Sequence, residues 1–174
     1  MKYNVDNIDI SNGFVFFWGN KGNGKTIGCE CLSQWYISDF VVDGITYCCM
    51  EQYMMSEKAK LFNDKEMYNK IMNETDQKTI KYYGRLVNGF NSKIWDKHKC
   101  DIIIKGNFHK FSQNEELKNY LLSTKDSILV EASPFDTVWG IGMSRHIDDA
   151  KDPKKWKGRN LLGFCLMEVR DMLV

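Results

Sequence analysis

The sequence predicts an α+β fold, mostly helical with a small β-sheet. Three observations carry this. Over residues 47–62 the apolar side chains fall at Met50, Tyr53, Met54, Leu61 and Phe62, the spacing of one helical face. The strand-like runs, at 14–18, 40–42, 45–47 and 128–130, are short and do not alternate with helices as in a nucleotide-binding α/β domain. Two Pro and 13 Gly in 174 residues suit a compact helix-rich chain better than a disordered one.

Taken in order, residues 1–13 read as an N-terminal extension of one domain spanning 1–174. The aromatic run Phe14-Val15-Phe16-Phe17-Trp18 reads as a strand. Gly19-Asn20-Lys21-Gly22-Asn23-Gly24-Lys25-Thr26 then satisfies the phosphate-binding pattern G-x-x-x-x-G-K-T. Its context argues against a P-loop. Ile27 to Ser33 carries a Gly and two Cys where helix formers belong, and no apolar strand ends in a suitable Asp. A glycine-rich hairpin loop is the better reading, and a P-loop NTPase is the weakest of the functional alternatives.

The runs on either side of Asp43-Gly44 have the signature of a β-hairpin. The helix at 47–62 follows directly. Residues 64–72 and 75–83 read as two short helices, the second closed by Gly84 as its C′ residue. Ile94, Trp95, His98 and Ile102 place a longer helix over 94–111. Ser112-Gln113-Asn114-Glu115 has capping-box form, with Phe111 as the staple, and predicts the start of a further helix. A buried strand at 128–130 leads through Pro134 and Asp136 to a charged surface loop over 143–159. The last helix carries Leu162, Cys165, Leu166, Val169 and Leu173 on one face, with Asn160 as its N-cap.

Composition narrows the function. The net charge of +1, with 27% charged residues, gives no global field for a nucleic acid or a membrane. Lys151, Lys154, Lys155, Lys157 and Arg159 form one local basic cluster. The six cysteines lack zinc-site spacing, and there is no CxxC, so reduced thiols in a cytoplasmic protein are expected. No run approaches the roughly 20 apolar residues of a membrane span. His98, His109 and His146 have no acid or nucleophile nearby in sequence. No metal and no cofactor is expected.

Within the 47–62 helix, Glu51 and Lys58 stand seven residues apart, on one face and roughly 10 Å from each other. A carboxylate and an amine beside apolar side chains can shift each other's pKa. The alternative is a snorkelling lysine with its stem on the core and its ammonium in water. Spacing by itself favours that alternative.

Four stretches read together resemble the NADAR family, N-glycosidase-like domains linked to NAD, ADP-ribose and riboflavin metabolism. They are Leu32-Ser33-Gln34-Trp35, Glu51 to Ala59, Lys110-Phe111-Ser112-Gln113-Asn114 leading to Leu121-Leu122-Ser123-Thr124, and Val130 to Gly142 continuing through Trp156 to Gly163 and Leu166 to Arg170. The resemblance runs from about residue 14 to the C-terminus. Ser33-Gln34-Trp35 departs from the Ser-Asn-Phe of many members, which bears on the substrate more than on the reaction.

The resemblance implies hydrolysis of the bond between a ribose C1 and an amine nitrogen. Its substrates are ADP-ribosylated nucleobases or phosphorylated ribosylamino-pyrimidine intermediates of riboflavin synthesis. Lys58 matches the family's helix lysine, and a neutral amine there suits a Schiff base with the sugar C1. Glu51 suits a general acid or base. The substrate-binding candidates are Ser33, Gln34, Trp35, Arg85, Trp95, Lys110, Phe111, Ser133, Asp136, Trp139, Gly140, Gly158 and Asn160. Trp35, Trp95 and Trp139 offer stacking faces or core packing. Asp136 offers a partner for ribose hydroxyls or an Asx turn. Gly140 and Gly158 offer close backbone approach. Arg85 and Lys110 are phosphate partners or solvated surface charges. The preferred reading is removal of ADP-ribose from a guanine base, with the basic cluster meeting a nucleic-acid backbone. A module that binds ADP-ribose or NAD without turnover is the alternative of another class.

Overall fold

A computed structural model describes residues 1–174. It contains six α-helices, four short strands and several 3-10 turns, an α+β chain that is mostly helical. The β-structure is two two-stranded sheets, one in each of two compact units. One unit comprises Met1–Ser33 with Glu115–Val174, and the other Gln34–Asn114.

The Gln34–Asn114 unit opens with a hairpin of β2 (Phe40–Val42) and β3 (Ile45–Tyr47), paired antiparallel with Val42 opposite Ile45. Asp43 and Gly44 both take positive φ, 52° and 79°, as the two-residue turn with the twist of the strands requires. Helix α1 (Met50–Leu61) follows and packs against α2 (Lys65–Met72), α3 (Gln77–Arg85) and α4 (Ser92–Gln113). Asp64, Asp76 and Asn91 cap those three helices, each accepting from a first-turn N–H.

Helix α1 is buried well beyond its apolar stripe. Every residue from Met50 to Ser56 is inside, Gln52 and Ser56 included. Both are satisfied, as burial demands. Gln52 accepts from the Cys48 N–H and donates to the carbonyls of Ile71 and Glu74, and Ser56 donates to the Tyr53 carbonyl.

Two local expectations of this unit are corrected. Gly84 is not a C′ residue but lies inside α3, buried, where a Cβ would overlap the side chain of Met55. Close packing on α1, not helix termination, selects glycine there. Ser112 does not cap a new helix, because it belongs to the last turn of α4 and its hydroxyl donates back to the His109 carbonyl. Gln113 instead pairs its amide with both backbone groups of Val41, each at 2.8 Å, and so covers an edge of β2. Asn114 ends α4, and α5 (Glu115–Ser123) begins at once.

In the other unit β1 (Phe14–Phe17) pairs in parallel with β4 (Ile128–Glu131). Parallel neighbours need a crossover, and here the connection runs through all the intervening chain. The G-x-x-x-x-G-K-T segment is an exposed loop followed by a 3-10 turn at Cys29–Leu32, not by a P-loop helix. The N–H groups of Lys25 and Thr26, which a P-loop aims at phosphate, are taken by Asn23 Oδ1 at 2.9 and 3.1 Å. The 143–159 segment is not wholly a surface loop. Its 3-10 turns at Asp148–Lys151 and Pro153–Lys155 bury Ala150 and Pro153.

Helix α6 (Leu161–Met172) packs on β4, and Gly163 makes that approach possible. A Cβ there would overlap the Leu129 carbonyl oxygen and crowd the Asn160 amide. Backbone cannot swing aside as a flexible side chain does. Gly163→Ala gains about 1 kcal/mol of helix propensity but forces α6 off the strand. The expected net effect is a loss of roughly 1–3 kcal/mol, read as a lower urea midpoint at unchanged slope.

Candidate functional site

Glu51 and Lys58 sit on α1 as their spacing predicts, but in different surroundings. Glu51 is only 2% exposed, near the start of the helix. Its backbone N–H donates to the Gln34 carbonyl at 2.9 Å, and its Oε2 accepts from the Trp35 indole at 3.1 Å. The segment before the hairpin therefore orients the carboxylate. Gln34 is itself buried, with its amide nitrogen 3.8 Å from the Met54 sulfur. Lys81 places its ammonium 5.7 Å from the Trp35 ring centre, on the same cluster.

Lys58 is half-buried two turns further on. Its Nζ donates to the Gly84 carbonyl at 2.7 Å, lies 4.2 Å from the Phe90 ring centre and 6.0 Å from that of Trp95. Burial lowers its pKa below the ordinary lysine value, the Arg85 charge lowers it further, and the Glu51 carboxylate opposes both. The outcome is an amine biased toward its neutral, nucleophilic form. If that amine must be free to react, the acid limb of the kcat–pH profile follows its pKa. Arg85→Ala removes a neighbouring positive charge, so the limb moves to higher pH. Initial rates across the pH range measure it, and Arg85→Lys keeps the limb near its original place.

Other candidates of this unit are placed as follows. Arg85 is exposed at the end of α3, and Trp95 is half-buried on α4. Phe111 belongs to the core. Lys110 is not a solvated surface charge, because it is 0% exposed, with Nζ 5.5 Å from the Tyr36 ring centre and 5.1 Å from that of Phe111. Sequence reasoning missed Phe90, Lys81 and the Gly84 carbonyl. Phe90 had one available signal, an isolated aromatic in the polar stretch 88–91.

The remaining candidates lie in the Met1–Ser33 and Glu115–Val174 unit, mostly on the turn between β4 and α6. Ser133 is buried, and its hydroxyl accepts from the Phe135 N–H. Asp136 Oδ1 accepts from the N–H groups of Val138 and Trp139 at 2.9 and 2.7 Å, the Asx-type turn. Trp139 is half-buried, and its carbonyl accepts from Leu162 N–H. A Cβ on Gly140 would meet the Glu131 carbonyl oxygen at 2.7 Å, and one on Gly158 would meet the Thr137 Cα at 2.7 Å. Both glycines let one stretch of this unit's backbone lie against another. Ser33 closes the 3-10 turn with a bond from its N–H to Glu30.

Asn160 holds the N-cap position of α6 in a left-handed conformation, φ 51°, yet its side chain does not cap the helix. It is fully buried and braces β4 instead. Oδ1 accepts from the Glu131 N–H at 3.0 Å, and Nδ2 donates to the Leu129 carbonyl at 2.9 Å. The N-cap expectation from its residue type is thus corrected: a strand, not a helix end, uses its amide.

The chain can be set against known proteins with this geometry in view. The family model described as the NADAR domain matches residues 16–174. N-glycosidase R617 of Acanthamoeba polyphaga mimivirus is 45% identical over 163 residues, covering 91% of this chain and 95% of that protein. N-glycosidase YbiA of Escherichia coli (strain K12) is 31% identical over 132 residues, 76% of this chain and 74% of its own. The NMR structure of the E. coli protein YbiA matches with a TM-score of 0.74 at 26% identity, covering 93% of this chain and 85% of that one. The riboflavin biosynthesis protein PYRR, chloroplastic, of Zea mays is 38% identical over 80 residues, 46% of this chain but only 11% of that protein.

These relatives define the class, an enzyme of the N-glycosidase type. Within it, the chain belongs to the NADAR family. No helix is long and apolar enough to cross a membrane.

Proposed function

We propose that the enzyme releases ADP-ribose from an ADP-ribosylated guanine base through a Schiff base at Lys58. The observation that carries the reading is the half-buried Lys58 amine, pKa lowered, held beside Phe90 and Trp95 on the helix that also buries Glu51. The neutral amine bonds to C1 of the ribose as the bond from C1 to the base nitrogen breaks, and the departing nitrogen takes a proton from the protonated form of Glu51, to which the water that later adds at C1 returns one. Opening of the sugar ring, with the proton going to its ring oxygen, leaves a protonated imine between C1 and Nζ. Water then adds at C1, the bond to Nζ breaks, and free ADP-ribose and lysine result.

The base carried by a nucleic acid is favoured over a free nucleotide by the basic cluster. Lys151, Lys154, Lys155, Lys157 and Arg159 are all exposed, as a phosphate-contacting surface needs. Phosphorylated ribosylamino-pyrimidines are the second reading, which the likeness to the Zea mays riboflavin protein supports. The same two residues serve both substrates, since each asks for protonation of a departing nitrogen.

Mass spectrometry of the products from ADP-ribosylated guanosine tests the choice. Release of ADP-ribose and guanine is expected. Inertness there, with turnover of the ribosylamino-pyrimidines, transfers the assignment to the second substrate. Tight binding of ADP-ribose with no turnover of either would make the chain a binding module.

A further inference from the structure

We propose that Cys48 and Cys49 are a vicinal dithiol that closes to a disulfide by exchange with a small oxidised thiol such as glutathione disulfide. The inference is independent of the substrate reading. The two are adjacent in sequence, and their sulfurs share an S–H···S hydrogen bond at 3.9 Å. Both are free thiols, Cys48 half-buried and Cys49 fully buried. The accessible member can meet a reagent, and the buried one is positioned to resolve the product. That division of labour is what a reactive pair needs.

The electrostatics support the same order. The hydrogen bond shared with Cys49 holds the Cys48 thiol down to about 7, against the opposing effect of its burial. Cys49 is pushed up, first by that bond and then by burial. Near neutral pH Cys48 is thus a thiolate in appreciable fraction, and Cys49 keeps its proton. Thiolates are the attacking species in exchange.

In the first step the Cys48 thiolate attacks one sulfur of glutathione disulfide, the glutathione S–S bond breaks, and one glutathione thiolate leaves. Consuming the Cys48 thiolate ends the main effect that raised Cys49. The departing thiolate or solvent then takes the Cys49 proton, the Cys49 sulfur bonds to that of Cys48, and the second glutathione leaves. The protein loses two protons and two electrons, and one glutathione disulfide becomes two glutathiones. The site of this change is the start of α1. Cys49 is its N-cap residue, the Cys48 N–H donates to Gln52 at 2.9 Å, and Glu51 is two residues on.

The test is treatment of the native protein with glutathione disulfide, followed by intact mass and peptide mapping. The expected product has lost two hydrogens, with the disulfide mapped to the peptide holding Cys48 and Cys49 and no glutathione retained there. Cys49→Ser is expected to stop at a glutathione adduct on Cys48, and Cys48→Ser to leave Cys49 unmodified. Mapping separates any adducts on Cys29 and Cys100, which are also half-buried. A persistent glutathione adduct on Cys48 of the native protein, or an unchanged Cys48–Cys49 peptide, would overturn the proposal. The native protein decides this without either variant, so a folding defect in a serine variant does not hide the answer.

Discussion

Lys58→Ala is expected to lower turnover of ADP-ribosylated guanosine by on the order of 10³-fold or more, the scale seen when a covalent nucleophile is removed. The fold should survive, because the side chain is half-buried and its one hydrogen bond, to the Gly84 carbonyl, is worth about 1 kcal/mol. Lys58→Arg separates nucleophile from charge. It keeps a cation near Phe90 and Trp95 but offers no neutral amine, since guanidinium stays protonated. Both variants should therefore be inactive, and only the native protein should yield a borohydride-reduced adduct on Lys58 during turnover. Full activity in Lys58→Arg would reject the Schiff base and leave Lys58 as a positive charge for the substrate. An unchanged rate in Lys58→Ala would remove the residue from the chemistry altogether.

The sequence carried the helical geometry of this pair but not the surroundings that set its chemistry. Residues seven apart on an apolar helix must share a face, so the placement of Glu51 and Lys58 was legible from period alone, while their reading as a catalytic pair came from the family resemblance. The groups touching the Lys58 amine come from elsewhere. The Gly84 carbonyl belongs to α3, and Phe90 lies on the connection to α4, where no periodicity exists to predict direction. Lys110 was illegible for a related reason. A lone charge in sequence reads as solvated, and only tertiary packing reveals that this one is enclosed beside Tyr36 and Phe111. Glycines misled in the opposite way. Gly84 resembles a helix stop in sequence, yet its identity is fixed by the Met55 side chain from another helix. The hairpin, by contrast, is local chemistry, and Asp43-Gly44 does what its residue types suggest, whereas Ser112 and Asn160, read as caps, serve the last turn of α4 and the β4 backbone instead. The Walker-like loop shows the value of context. Its letters fit, but the helix that would aim its N–H groups at a phosphate is absent, and Asn23 uses two of them.

Glu51→Gln is the sharper test of the mechanism, because two effects of the substitution oppose each other. The amide is nearly the same size and keeps an oxygen to accept from the Trp35 indole, so the local structure should persist. It also removes the negative charge that raises the Lys58 pKa. Lys58 then becomes easier to deprotonate, and nucleophilic attack alone would be faster near neutral pH. A fall in rate cannot come from a more strongly protonated lysine. The expected result is nonetheless a drop in kcat of roughly 10²–10⁴-fold, the range for loss of a general acid or base, with affinity for ADP-ribose little changed. That drop should shrink on ribosylated amines whose departing nitrogen needs no proton, since they gain nothing from an acid. A uniform loss across such a series would assign Glu51 to orientation through Trp35, and a rise in rate near neutral pH would mean that its main influence is electrostatic restraint of Lys58.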